Sequence, residues 1–265
     1  MVIGVAGSLA GILSTTLDVG SALFPSPSTT TSIDESVTIN GQQGSQTNNF
    51  GPVYNTYEDG SELPLDTSRL CGDESSEITA GWGPKRIMFP ASSPPDYVAL
   101  NSIADSDAVG DERGFIRAET SGKGNWDNEV TIERDAVYRI RVSVSNSAIS
   151  GTGLASTGTT VNSLLPTCTG KVIAVSATAS SDNALPSEVY SIMAFRASEI
   201  FNLAYIEGSA TLWNADGSRS TPLDRTLLTA NGTYIGEATL DGVLEAGPSE
   251  AAWVTYEVRP QFAGD

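Results

Sequence analysis

Apolar and polar side chains alternate most cleanly between Glu129 and Ala148 (EVTIERDAVYRIRVSVSNSA). Tyr138, Ile140, Val142 and Val144 fall on one side, and Arg139, Arg141, Ser143 and Ser145 on the other. That period of two predicts an extended strand with one core face and one wet face. Glu133-Arg134-Asp135-Ala136 predicts a polar turn back to a short strand at Val130-Thr131-Ile132, and Asn146-Ser147 ends the run. Further short runs follow the same logic: Arg86 to Phe89, Asp96 to Leu100, Phe115 to Ala118, Leu164-Leu165, Val172 to Ala177, Val189 to Phe195 and Ala204 to Leu212. Most are bounded by Gly, Pro, Asn or Ser, and Asn214-Ala215-Asp216-Gly217 and Asn231-Gly232 are turn signals. Ala252 to Val258 closes the domain, with Val254, Tyr256 and Val258 directed to the core. Many short alternating runs between turns predict an all-β fold, an antiparallel β-sandwich.

The pattern changes upstream. Val2 to Phe24 (VIGVAGSLAGILSTTLDVGSALF) is apolar apart from Asp18, and its length matches a helix that crosses a bilayer. Gly4, Gly7 and Gly11 put small residues on one helical face, so copies could pack closely there. No Lys or Arg precedes Arg69, so the basic flank of an export signal or oriented anchor is missing. Membrane anchor, trimmed export signal, self-associating helix and buried leader all remain open. Residues 25–63 are rich in Ser, Thr, Asn, Gln, Gly and Pro and read as a polar stalk or linker. The expected organisation is an apolar helix over 1–24, a linker over 25–63 and a β domain over 64–265.

Composition narrows the chemistry. The net charge of −18 argues against nucleic acid as a partner, because phosphate contacts need clustered Lys and Arg. The chain has no histidine, which removes Ser-His-Asp and Cys-His catalysis and His-ligated zinc. Two cysteines, Cys71 and Cys168, suit either one bridge or two buried thiols, and secretion would favour the bridge.

Four carboxylates crowd one loop: Asp105, Asp107, Asp111 and Glu112 in DSDAVGDE. Such a group repels itself unless it is solvated, paired with Arg113, or neutralised by a hard cation such as Ca²⁺. Trp82, Trp126, Trp213 and Trp253 offer either core packing or a sugar-stacking platform. Arg139 and Arg141 are expected on the outer face, solvating the sheet or contacting a neighbouring aromatic or carboxylate. Asn231-Gly232-Thr233 matches a glycosylation acceptor but coincides with a turn signal. No pair of acids is marked for catalysis.

Several phrases also resemble a family of uncharacterised secreted or surface proteins of actinobacteria and candidate-phylum bacteria. They are VALNSIADSDAVGDERGF (Val98 to Phe115), GNWDNEVTIERDAVYRIRVSVSNSA (Gly124 to Ala148), ALPSEVYSIMAF (Ala184 to Phe195), FNLAYIEGSATLWN (Phe201 to Asn214) and WVTYEVRPQF (Trp253 to Phe262). The central piece is similar to bacterial surface repeats of immunoglobulin-like fold, in which a Tyr-to-Asn strand (Tyr138 to Asn146) precedes a segment ending in Leu-Pro (Leu165-Pro166). The resemblance implies an extracellular immunoglobulin-like sandwich and brings no activity with it.

The resulting expectation is a non-enzymatic secreted or cell-surface protein, an adhesin or assembly subunit that self-associates through its N-terminal helix, with a membrane or cell wall as the other candidate partner. The alternative is a monomeric or membrane-anchored module that binds a glycan or Ca²⁺ through loops of the sandwich.

Overall fold

A computed structural model describes residues 70–73, 78 and 80–262. The apolar stretch with Gly4, Gly7 and Gly11, and the polar linker, lie outside the described residues. Within them the protein is all-β and almost entirely antiparallel, with two short 3₁₀ turns at Arg225–Leu228 and Pro248–Glu250. Among the described residues no helix is long and apolar enough to cross a membrane.

The strands are β1 (Cys71–Gly72), β2 (Gly81–Gly83), β3 (Ile116–Thr120), β4 (Glu129–Thr131), β5 (Tyr138–Val144), β6 (Thr160–Leu164), β7 (Gly170–Ser180), β8 (Glu188–Tyr205), β9 (Thr211–Asn214), β10 (Ser220–Pro222), β11 (Thr233–Tyr234) and β12 (Ala252–Phe262). One arm of the ladder runs β11-β6-β7-β8, and the other runs β3-β5-β12-β9-β10. The arms join where Phe201–Tyr205 of β8 pairs with Val258–Phe262 of β12. Their inner faces share one core. The Tyr138 ring on β5 meets Phe195 on β8 edge-on at 5.6 Å, and the Tyr256 hydroxyl on β12 lies 2.6 Å from Ser163 Oγ on β6. Alternation builds that core: Tyr138, Ile140, Val142 and Val144 face it from β5, and Val254, Tyr256 and Val258 from β12. Each such side chain contributes about 1.5–3 kcal/mol through burial.

The opposite face of β5 is only partly wet, at Arg139. Arg141, Ser143 and Ser145 are buried as well, because β3 and β12 flank the strand and Trp126 and Trp253 lie over Arg141. Period two identified a strand, but it could not report what covers the second face.

Other boundaries moved for local reasons. β4 does not form a hairpin with β5: it runs parallel to β8, with Val130 opposite Phe195, and the Ile132 amide donates to the Arg196 carbonyl at 2.7 Å. The Tyr138 hydroxyl accepts from the Glu133 amide at 2.6 Å and holds the turn in that course. Asp96 to Leu100 makes a single bridge, Leu100 to Asn146, and Arg86 to Phe89 makes one, Phe89 to Ile103. Ala204 to Leu212 is two strands, since a turn over Ile206 to Ser209, with Gly208 at φ 75°, ends β8 and reverses the chain into β9.

Cys71 and Cys168 form a disulfide, with their Cα atoms 6.1 Å apart. The bridge ties β1 to the approach of β7, where Gly170 lies so close to β1 that a Cβ there would stand 2.6 Å from the Gly72 carbonyl oxygen. Only glycine fits at that contact.

Candidate ligand-binding face

The acidic loop does not bring its four carboxylates together. Asp105 accepts from the Ala91 amide at 2.6 Å, Asp107 is exposed, and Asp111 takes a two-pronged contact from Arg113. Glu112 turns inward, 5% exposed, and accepts from the Ile103 amide at 2.9 Å and the Ser147 hydroxyl at 3.0 Å. Among the described residues no three His, Cys, Asp or Glu side chains group as a metal-holding cluster. Arg113 pairs with Asp111, one of the ways in which the sequence could relieve the loop's charge beside solvation or Ca²⁺. The loop itself is pinned by Asn101, whose side chain bridges the Ser143 carbonyl and the Ser145 amide, both at 2.8 Å.

Glu112 lines a cavity of about 230 Å³ with Pro94, Ile103 and Ala148 among its walls. Burial pushes its pKa up, while hydrogen bonds from Ile103, Ser145 and Ser147 and the charge of Arg86 pull the other way. The folded pKa therefore lies above the unfolded one. Between the two the native state holds more protons, so this site's contribution is present at low pH and is lost as pH rises through the folded value. Glu112→Gln keeps an acceptor oxygen and removes the titration. Its stability relative to wild type is expected to climb as pH rises from about 4 towards neutrality. Urea midpoints across that range check this, and a difference that stays constant with pH would contradict it.

The tryptophans divide. Trp82 is 6% exposed on β2, with the Arg113 guanidinium 4.4 Å from its ring centre, and belongs to the packing. Trp126, Trp213 and Trp253 converge on the outer face of β5, β12 and β9, where they line an open groove of about 560 Å³ with Arg139, Arg141 and Glu257. Strand register places them. Trp253 on β12 lies opposite Trp213 on β9 and opposite Ser143 on β5, two residues along from the Arg141–Thr255 pair and on the same face. Trp126 comes from the loop before β4, which the Ala118–Asp127 bridge holds against β3.

Arg141 sits between Trp126, 4.4 Å from its ring centre, and Trp253, 4.9 Å from its ring centre. Burial, then the neighbouring Arg117 charge, lower its pKa to about 10 against the pull of Glu119, which leaves it charged at neutral pH. Arg139 lies between Glu119 at 3.7 Å and Glu257 at 3.6 Å. The Trp213 indole N–H donates to Thr255 Oγ1 at 2.9 Å. The indole N–H groups of Trp126 and Trp253 have no protein acceptor among the described residues. Half-buried aromatic rings, open N–H donors and flanking hydroxyls form a surface suited to a ligand with both apolar faces and hydroxyls.

Comparison with protein-family models, with curated proteins and with solved structures returns no match. Sequence reasoning grouped all four tryptophans and put Arg141 on the outer face, either solvating the sheet or against a neighbouring aromatic or carboxylate, and the aromatic contact is the one formed. The signal that separates them is pairing register, since Trp253 meets Trp213 only through the β9–β12 ladder.

Proposed function

We propose that this protein is a non-enzymatic extracellular adhesion protein whose β domain, an immunoglobulin-like sandwich, binds glycan on the groove of Trp126, Trp213 and Trp253. The observation that carries this reading is the convergence of three half-buried indoles, two of them with open N–H groups, and the hydroxyl of Thr211 in one exposed concavity. Sugar rings have apolar C–H faces that stack on indoles and hydroxyls that seek such partners. The disulfide supports an oxidising location, and the acidic composition suits a solvent-exposed surface. Calcium has no part in this reading, because three of the acidic loop's four carboxylates are engaged with amides or Arg113. The apolar stretch over 1–24 holds the domain at a membrane or wall, or gathers copies through Gly4, Gly7 and Gly11.

One experiment addresses both halves. The full chain, a version lacking residues 1–24 and Trp253→Ala are applied to a panel of neutral, uronic-acid, sialylated and sulfated oligosaccharides and sized by light scattering. Binding is expected in the full chain and the truncation, with Trp253→Ala weaker by roughly tenfold or more, as for an aromatic at the centre of a binding face. Large species are expected only with residues 1–24 present. Silence across the panel overturns the glycan reading, and unchanged size on truncation overturns the assembly role.

A further inference from the structure

The outer face of β3 and β5 carries three arginines, and two of them are committed. Arg117 donates to the carbonyls of Gly114 at 3.2 Å and Val109 at 2.7 Å. Arg139 is neutralised by Glu119 and Glu257 and donates to Ser121 at 3.4 Å. Arg141 differs. It is 9% exposed, it lines the groove, and among the described residues it has neither a hydrogen bond nor an ion pair, only the two indole rings. Attraction to a ring face gives no acceptor to the N–H groups in the guanidinium plane. Its nitrogens are not sealed from solvent, so they meet the water of the open groove, which a ligand acceptor would replace. The fold holds this guanidinium at the base of that groove.

We infer that the groove recognises an acidic sugar, with the ligand's carboxylate taken by Arg141 in a forked pair and the sugar ring stacked on a neighbouring indole. This rests on the glycan reading and narrows it to a substrate class. A carboxylate has the planar two-oxygen geometry that matches a guanidinium edge. One uncommitted cation also calls for one charge. A densely charged polyanion such as nucleic acid or a heavily sulfated chain meets the field of a molecule at −18, whereas a single carboxylate close to Arg141 is repelled only weakly at physiological salt, where charges more than about 8 Å away are largely screened. The groove volume of about 560 Å³ leaves room beside the acid for a neighbouring sugar, with Thr211 and Glu257 as hydroxyl partners.

The test uses the full chain and two probe series, each with an acid, its methyl ester and its neutral parent: xylotetraose bearing one glucuronic acid, and sialyllactose. Titration calorimetry and tryptophan fluorescence report binding. The expected result is that at least one acid binds and that its ester and neutral parent bind about tenfold or more weakly. Arg141→Gln is expected to remove the difference between acid and ester, and Arg141→Lys to restore only part of it, since an ammonium lacks the fork. The ester comparison uses the native protein, so a variant that fails to fold does not blunt the test. Equal binding of acid and ester overturns the carboxylate inference and leaves the glycan reading standing. No binding in either series overturns the inference, and silence across the wider panel removes the glycan reading with it.

Discussion

Replacing Tyr256 by alanine is expected to lower the unfolding free energy by about 3–5 kcal/mol, the range for removing a large buried aromatic. Tyr256 is fully buried on β12, tilted against Tyr205 at 6.3 Å, and spans the core to Ser163 on the opposite arm. Truncation leaves a hole between two hydrogen-bonded arms that cannot collapse without breaking ladder bonds. Tyr256→Phe separates packing from hydrogen bonding. The Ser163 hydroxyl retains the Ser176 carbonyl at 3.1 Å as a partner, so this variant is expected to lose only about 1 kcal/mol. Urea denaturation of the two variants checks the ratio, and equal losses would mean that the hydroxyl pair, not the ring, holds the arms together. Burial also pushes the phenol pKa upward, so no ionisation of Tyr256 complicates measurements near neutral pH.

The second large effect lies at Cys71–Cys168. The bridge spans 97 residues, and closing so long a loop removes much of the freedom of the unfolded chain. Replacing both cysteines by serine is expected to cost about 2–4 kcal/mol. The loss should begin locally. β1 has two residues, and beyond its ladder with β7 it is held by the Ala174 amide donating to the Leu70 carbonyl at 2.7 Å and by a small cluster of Leu70, Ile78, Val172 and Ile192. Hydrogen exchange at Ala174 is therefore expected to rise in the serine variant before exchange at Val142 in β5 does. Denaturation midpoints with and without reductant check the global cost, and a midpoint unmoved by reduction would show that β1 contributes nothing to the cooperative unit.

Set beside the two arms, the strand pattern was legible where one face meets the core. β5, β7 and β12 occur where alternation or an apolar run marks them, and Val254, Tyr256 and Val258 point inward. Alternation failed where a second layer covers the other face. For Arg141 the sequence left both solvation and an aromatic or carboxylate contact open, and the structure has the aromatic one, from rings 15 and 112 positions away in sequence. The acidic loop failed for a related reason. Composition reports that carboxylates are adjacent, but the direction of each is set by which amide or arginine lies nearest in the fold, so Glu112 turned inward and Asp111 paired locally.

By itself the sequence determined an all-β, antiparallel architecture, the absence of histidine chemistry and the presence of one possible bridge, because period, composition and residue type are local or summed properties. Tertiary structure alone decided that Cys71 and Cys168 join, that three tryptophans of four share a groove, and that Arg141 lies between two indoles with no hydrogen bond or ion pair among the described residues. Those facts depend on ladder register between strands far apart in the chain, and register is fixed by which side chains fill the common core, not by any short stretch of residues.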